Sequence, residues 1–298
     1  MPSFRSRIVQ RIMRETKDAL IGDLPLEARR RQIDSAARRA IRVPREVCQK
    51  SVSANGIPAD WLEPDNVIPG HAILYLHGGA YVICSPATHR GLAGKIAHAS
   101  KARLLLIDYR LAPEYPFPSA LDDSLAAYQW LLSKNYSPDH IIIGGDSAGG
   151  GLTLATALAL RDRHEKMPGA LFLLSPWTDL TFSGDSIHSR AKRDPLLEFK
   201  DHGWLVEAYA NGHPLTHPYI SPIFADLHGL PPTFIQVGTE EILYDDSSRL
   251  EQKAHHAGVN VTLEPWPGMW HVFQAFAPYV PESQLAINNI GNFIISHM

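Results

Sequence analysis

Ile141-Ile-Ile-Gly-Gly145-Asp-Ser147-Ala-Gly149-Gly-Gly-Leu-Thr-Leu-Ala155 is the stretch on which the reading of this chain turns. Three consecutive isoleucines read as a buried strand. Gly145 and Gly149 stand two positions either side of Ser147 and permit a sharp strand-to-helix turn. The Ala- and Leu-rich run from Gly150 to Leu160 reads as the helix that follows. Gly-x-Ser-x-Gly between a strand and a helix holds the serine Oγ exposed on a strained backbone, the setting of a nucleophile.

Outward from this turn, short apolar runs alternate with helical stretches. The predicted strands are Ala72–Leu76, Arg103–Asp108, His140–Gly144, Ala170–Leu174, Thr233–Val237 and Val261–Pro265. The predicted helices are His89–Ser100, Ser119–Lys134, Ala148–His164, Asp245–Ala257 and Pro281–Ser296. Such alternation implies an α/β protein with a mostly parallel sheet covered on both faces. Two regions break it: 1–45, Arg-rich and helical, and 178–220, with polar turns and an amphipathic piece at Leu196–Tyr209. Both are expected to form a helical cap, leaving 46–177 and 221–298 as the catalytic domain.

The 298 residues are 45% apolar and 20% charged, ordinary for a globular protein. A net charge of −3 gives no electrostatic reason to expect nucleic acid. Cys48 and Cys84 form no CxxC pattern and argue against a disulfide framework. No apolar run approaches the roughly 18 residues of a membrane span. The N-terminus carries Arg5, Arg7, Arg11, Arg14 and Lys17 with no acid before Glu15, as an amphipathic transit sequence would. Ile8, Ile12, Glu15 and Leu20 equally suit a helix packing one apolar face on the protein, and the apolar stretch of a secretory signal is absent. The expectation is a cytoplasmic protein whose N-terminal helices cover part of it.

A serine hydroxyl attacks well only when a base accepts its proton. On a sheet of this kind the partners follow in the order Ser, acid, His. His271 lies in the loop Trp266-Pro-Gly-Met-Trp-His271, after the last predicted strand and before a helix, and is the expected base; His255 and His256 read as helix-surface residues. Beyond the strand Thr233–Val237, Glu240, Glu241, Asp245 and Asp246 are the candidate acids. The last two read as helix N-terminal acids. His77-Gly78-Gly79-Ala80 follows the first predicted strand, where Gly78, Gly79 and Ala80, with the N–H of Ala148, would bind an oxyanion. No metal is expected: His164-Glu165 runs into Met167-Pro168 without the second His of HExxH. The glycines around Ser147 lack the Lys of a phosphate loop.

With Asp108-Tyr-Arg-Leu-Ala-Pro-Glu114 and Phe117-Pro118, these motifs resemble the hormone-sensitive-lipase-like (bacterial family IV) esterases of the α/β-hydrolase superfamily, over roughly residues 70–290. The resemblance implies an α/β-hydrolase fold with a helical cap. It also implies a serine carboxylesterase cleaving short- to medium-chain acyl esters through an acyl-enzyme, no cofactor, and homodimers through an edge strand. Two positions depart from the family pattern: Ala80 stands where a third Gly is usual, and Glu241 where Asp is usual. Some members use Glu, so the resemblance assigns Glu241 as the acid. Tyr81, Trp204, Leu205 and Tyr209, with Phe182, are expected to close an apolar substrate pocket, or else to pack cap on core. Asp146 is expected to brace the elbow or the Tyr109–Arg110 segment, and Arg110 and Glu114 to be a buried support of the oxyanion turn. The same site could serve an amidase or lactamase. A non-catalytic small-molecule receptor on this scaffold is favoured where the histidine is replaced, and His271 is present.

Overall fold

The structure, a computed structural model, describes residues 2–20, 25–198, 202–277 and 279–298, with only the backbone at 16–20 and 202. Residues 199–201, inside the amphipathic piece read at Leu196–Tyr209, lie outside those described. Eight strands form one sheet: β1 (Val47–Ala54), β2 (Ile57–Pro64), β3 (Ala72–Leu76), β4 (Arg103–Ile107), β5 (Ile141–Asp146), β6 (Ala170–Leu174), β7 (Thr233–Gly238) and β8 (Val261–Trp266). Their order is β1-β2-β4-β3-β5-β6-β7-β8. The six strands predicted from alternation make its parallel part. This is the α/β-hydrolase architecture.

Two features differ from expectation. β5 starts at Ile141, because Pro138–His140 is a 3₁₀ turn, and it runs on to Asp146. The hairpin β1–β2 is antiparallel and lies in a stretch left unassigned by the alternation. Its turn is Asn55-Gly56 with both φ positive, at 51° and 92°, the turn that suits the twist of paired strands.

The helices are α1 (Phe4–Leu20), α2 (Leu26–Ala40), α3 (Pro86–Ser100), α4 (Ser119–Ser133), α5 (Ala148–Asp162), α6 (Ser186–Ser189), α7 (His202–Ala210), α8 (Tyr244–His256) and α9 (Pro281–Ser296). Successive strand residues point to opposite faces. Leu74 and Leu76 therefore pack with α4, α5 and α8, while Ile73 and Tyr75 pack with α3 and α9. Among the described residues no helix is long and apolar enough to cross a membrane.

α1 corrects the expected packing of the N-terminus. Ile8 and Ile12 face outward, 43% and 53% exposed. Val9 and Met13 instead pack against the cluster of Met269, Trp270 and Phe273. The rotation is set at the helix start, where the Ser3 hydroxyl donates to Glu282 of α9 at 2.9 Å and the Ser6 hydroxyl to Ser3 O at 2.8 Å.

Candidate active site

Because β3 to β8 run parallel, their C-terminal ends share one edge of the sheet, where α/β proteins place their ligands. β3 delivers the turn 77–80 to that edge, β5 delivers Ser147, β7 leads to Glu241 and β8 to His271.

Ser147 adopts φ 53° and ψ −122°, a strained conformation for a residue with a side chain. Several bonds hold it there. Its N–H donates to Leu174 O at 2.9 Å, and its carbonyl accepts Trp177 N–H at 2.8 Å and Gly150 N–H at 3.0 Å. The glycines of the elbow are required by approach. A Cβ on Gly149 would lie 1.9 Å from Leu76 O, and one on Gly145 would lie 2.4 Å from the same oxygen. The elbow thus presses its main chain against the end of β3.

Asp146 braces different partners from those expected. It accepts from the Tyr75 hydroxyl at 2.8 Å and pairs with His89 Nε2 at 3.2 Å, wholly buried. Tyr109 instead donates to His77 O at 2.7 Å. Arg110 and Glu114 are half-exposed and do not pair with each other, so they are no buried support. Arg110 binds Asp123 at 2.7 Å, and Glu114 binds Arg30 of α2 at 2.9 Å. It is Arg30 that reaches the oxyanion turn's flank, donating to Val82 O at 2.7 Å.

The turn 77–80 has its carbonyls tied and its N–H groups free. Tyr109 holds His77 O; His77 Nδ1 lies 2.7 Å from Gly78 O; Gly79 O accepts Val82 N–H at 3.0 Å and Ile83 N–H at 2.9 Å. Each peptide is planar, with its C=O and the next N–H pointing opposite ways. Each tied carbonyl therefore turns the N–H of the next residue, Gly78, Gly79 or Ala80, away from that carbonyl's partner. None of these three meets a protein acceptor among the described residues. Gly79 sits at φ +118°, and a Cβ there would strike Ile83 O at 2.1 Å. His77 is neutral: burial first, then the neighbouring His89, pushes its pKa down to about 3. Its Nδ1 then carries the proton and donates to Gly78 O. Ala148, as the first residue of α5, has an N–H with no partner inside the helix.

Glu241 and His271 form a buried pair, with Nδ1 and Oε2 3.0 Å apart. The other oxygen, Oε1, accepts Gly238 N–H at 3.2 Å. Burial alone would lower the His271 pKa, but the bond to Glu241 and the charges of Glu241, Asp194 and Asp146 outweigh it and raise it. Burial raises the Glu241 carboxyl, against the pull of His271. Of the other candidate acids, Glu240 turns away to Arg193. Asp245 accepts Ser186 N–H at 2.9 Å. Asp246 is more than a helix-terminal acid: it is buried and accepts the N–H groups of Thr178 and Asp179 at 2.7 and 2.9 Å.

The expected pocket aromatics separate. Tyr81 and Tyr209 are each 1% exposed and stack at 3.7 Å with rings 6° apart, joining α7 to the oxyanion turn. Phe182 packs on Trp177, and Leu205 is half-buried against the same core. Trp204 is 42% exposed, unlike the buried Tyr209 of the same helix. Five residues round a helix turn it about 140° from Tyr209, so the two cannot share a face. Among the described residues no group of three His, Cys, Asp or Glu side chains is placed to hold a metal ion.

Residues 73–275 match the family model described as alpha/beta hydrolase fold. A solved esterase from the bacterial hormone-sensitive lipase family superposes with a TM-score of 0.94 at 39% identity, covering 100% of this chain and 99% of that one. The chain belongs to this family of carboxylesterases. The esterase is also similar to EstE5, solved after soaking with p-nitrophenyl butyrate, with a TM-score of 0.94, 42% identity and 99% of each chain covered. An acetyl-hydrolase of Streptomyces hygroscopicus is 43% identical over 243 residues, 82% of this chain and 81% of its own. The putative acetyl-hydrolase LipR of Mycobacterium tuberculosis is 35% identical over 291 residues, 95% and 94% of the two.

Three side chains of the esterase's site escaped the sequence reading. Asp194 accepts Ile242 N–H at 3.0 Å from a loop distant in sequence. The Ser175 hydroxyl bonds Glu241 and accepts Val272 N–H at 3.1 Å, tying Glu241 to the peptide after His271. His89 anchors Asp146. Only the position of Ser175, directly after a predicted strand, offered any signal.

Proposed function

We propose that this esterase hydrolyses short- to medium-chain acyl esters through an acyl-enzyme on Ser147. His271 takes the proton of the Ser147 hydroxyl as Oγ attacks the ester carbonyl. The tetrahedral oxyanion is bound by the N–H groups of Gly78, Gly79, Ala80 and Ala148. His271 returns the proton to the departing alkoxide, and water repeats the sequence on the acyl-enzyme to release the acid. Glu241 fixes the Nδ1–H tautomer of His271 and stabilises the imidazolium. Ala80 in place of a third glycine keeps the N–H this scheme needs, at the expense of a side chain held at φ 53°, where glycine would be unstrained. Residues 1–45 and 178–220 act as the cap, and Tyr81 with Tyr209 forms the wall between cap and acyl site. The acetyl-hydrolase names of two relatives and the butyrate ester soaked into EstE5 support a short acyl group.

The observation that carries this reading is the buried 3.0 Å pair of Glu241 and His271, on the same sheet edge as the elbow. The test is hydrolysis of p-nitrophenyl acetate, butyrate and octanoate by wild type and Ser147→Ala, with a fluorophosphonate label mapped by peptide mass. Labelling at Ser147 and loss of turnover in the variant are expected. Equal rates for the two proteins would overturn it.

A further inference from the structure

The outward face of α1 is unused by the site described above. Phe4, Ile8 and Ile12 recur every four residues and form one stripe, 78%, 43% and 53% exposed. Exposed apolar stripes of this kind mark interaction surfaces. The opposite face of the helix is the one packed on the loop that carries His271, through Val9 and Met13. The stripe is flanked by exposed arginines, Arg5 on one side and Arg7 and Arg11 on the other. Among the described residues Arg11 pairs with Glu15, an exposed pair that contributes little. Arg14 reaches back to Arg193 O at 2.9 Å and holds the helix at this rotation. α9 is bonded to the start of this helix. Ser3 is bonded to Glu282, and Leu285, one turn further on, is 56% exposed.

Charge identifies the occupant. Residues 1–45 hold twelve Lys and Arg against five Asp and Glu, a net +7, while the rest of the chain carries −10 and the whole −3. An apolar stripe between arginines, on a positive segment of an otherwise negative protein, is the pattern of a helix lying in an anionic lipid interface. The apolar side chains enter the acyl boundary and the guanidinium groups meet phosphate. We propose that α1 docks this protein on anionic membrane surfaces, through Phe4, Ile8 and Ile12 with Arg5, Arg7 and Arg11. Docked so, the His271 loop lies about one helix diameter, roughly 10 Å, from the headgroups.

The test is co-sedimentation of the full chain with vesicles of phosphatidylcholine alone and of phosphatidylcholine with an equal part of phosphatidylglycerol. Binding is expected to the anionic vesicles only and to weaken with salt. Phe4→Ser/Ile8→Ser and Arg5→Gln/Arg7→Gln are each expected to weaken it about tenfold or more. Hydrolysis of soluble p-nitrophenyl butyrate should be unchanged in both variants. No binding to anionic vesicles at low salt would overturn the proposal, as would equal binding by the variants. A dimer in light scattering that Phe4→Ser/Ile8→Ser abolishes would overturn it too, giving the face to a second copy of the chain. Vesicle binding is read without turnover, so its failure leaves the reading of the catalytic site standing.

Discussion

The carboxylate of Asp194 accepts the backbone N–H of Ile242 at 3.0 Å, bonding a residue of the segment after β6 to the peptide beside Glu241. The same carboxylate also accepts the N–H groups of Leu196 and Leu197, so it closes its own turn as well. Its charge is one of those that raise the His271 pKa. In the proposed role of base His271 works neutral, so kcat/KM is expected to rise with pH through that pKa, with a midpoint above the usual imidazole value of about 6.5. Asp194→Asn removes a negative charge, lowers the His271 pKa and moves the acid limb to lower pH. A pH profile of kcat/KM checks this, and an unmoved limb would reduce Asp194 to a turn residue.

Glu241 and Glu240 adjoin in sequence and differ in partner. Glu241→Gln is expected to lose on the order of 10³–10⁴ in kcat, because an amide neither enforces the Nδ1–H tautomer nor offsets the imidazolium charge. Glu240→Gln, which gives up the pair with Arg193 and weakens a bond from the Thr239 hydroxyl, should stay within a few-fold of wild type. Steady-state kinetics on one soluble ester ranks them, and the opposite ranking would move the acid.

Asp246 predicts a dependence of stability on pH. Burial pushes its carboxyl up to about 7, against about 3.9 in an unfolded chain. Between those values the folded state holds a proton that the unfolded state has lost. Stability from this group is therefore fully present below about pH 4 and is lost as pH rises through about 7. Asp246→Asn keeps an oxygen to accept from Thr178 and Asp179 and carries no charge to bury. It should melt several degrees above wild type at pH 8, with the gap closing by about pH 4. Calorimetry at the two pH values reads it, and a variant that melts lower at pH 8 contradicts the account.

Gly79→Ala should damage turnover out of proportion to its size. The new Cβ meets Ile83 O and cannot relax without rotating the peptide planes that aim the Gly79 and Ala80 N–H groups. A fall of about 10²–10³ in kcat is expected, the scale of losing an oxyanion donor. Gly229→Ala, also at positive φ but with only Arg161 Cδ at 3.6 Å, is the control for backbone strain alone and should retain kcat.

What could be read in the sequence follows the physics of each signal. The parallel strands were legible because burial on both faces makes continuous apolar runs such as Ile141–Ile143. β1 and β2 were missed, since VCQKSVSA and IPADWLEP carry mixed polarity on an edge hairpin, although Asn55-Gly56 marks its turn. The elbow, the HGGA turn and the His271 loop were legible as local motifs at strand ends. Asp194, Arg30 and His89 were not, because each acts across the fold on a peptide or carboxylate far away in sequence. α1 misled for a different reason. Two apolar pairs, Ile8/Ile12 and Val9/Met13, both have helical spacing, and bonds to residues far away in sequence, Ser3 to Glu282 and Arg14 to Arg193 O, decide which one faces inward.

The close approach at Gly145 and Gly149 has a bearing on how such an enzyme changes over time. β5 meets β3 at Leu76↔Gly145, and the elbow touches the Leu76 and His77 carbonyls with no side chain between them. The span from the Ser147 main chain to the N–H groups of Gly78 and Gly79 is thus a main-chain dimension, fixed by covalent geometry and ladder bonds instead of by rotamers. The elbow and the turn 77–80 travel as one rigid part. The covering segments can exchange residues, lengthen or be replaced without retuning that part, so substrate preference is free to drift while the reacting geometry is inherited intact.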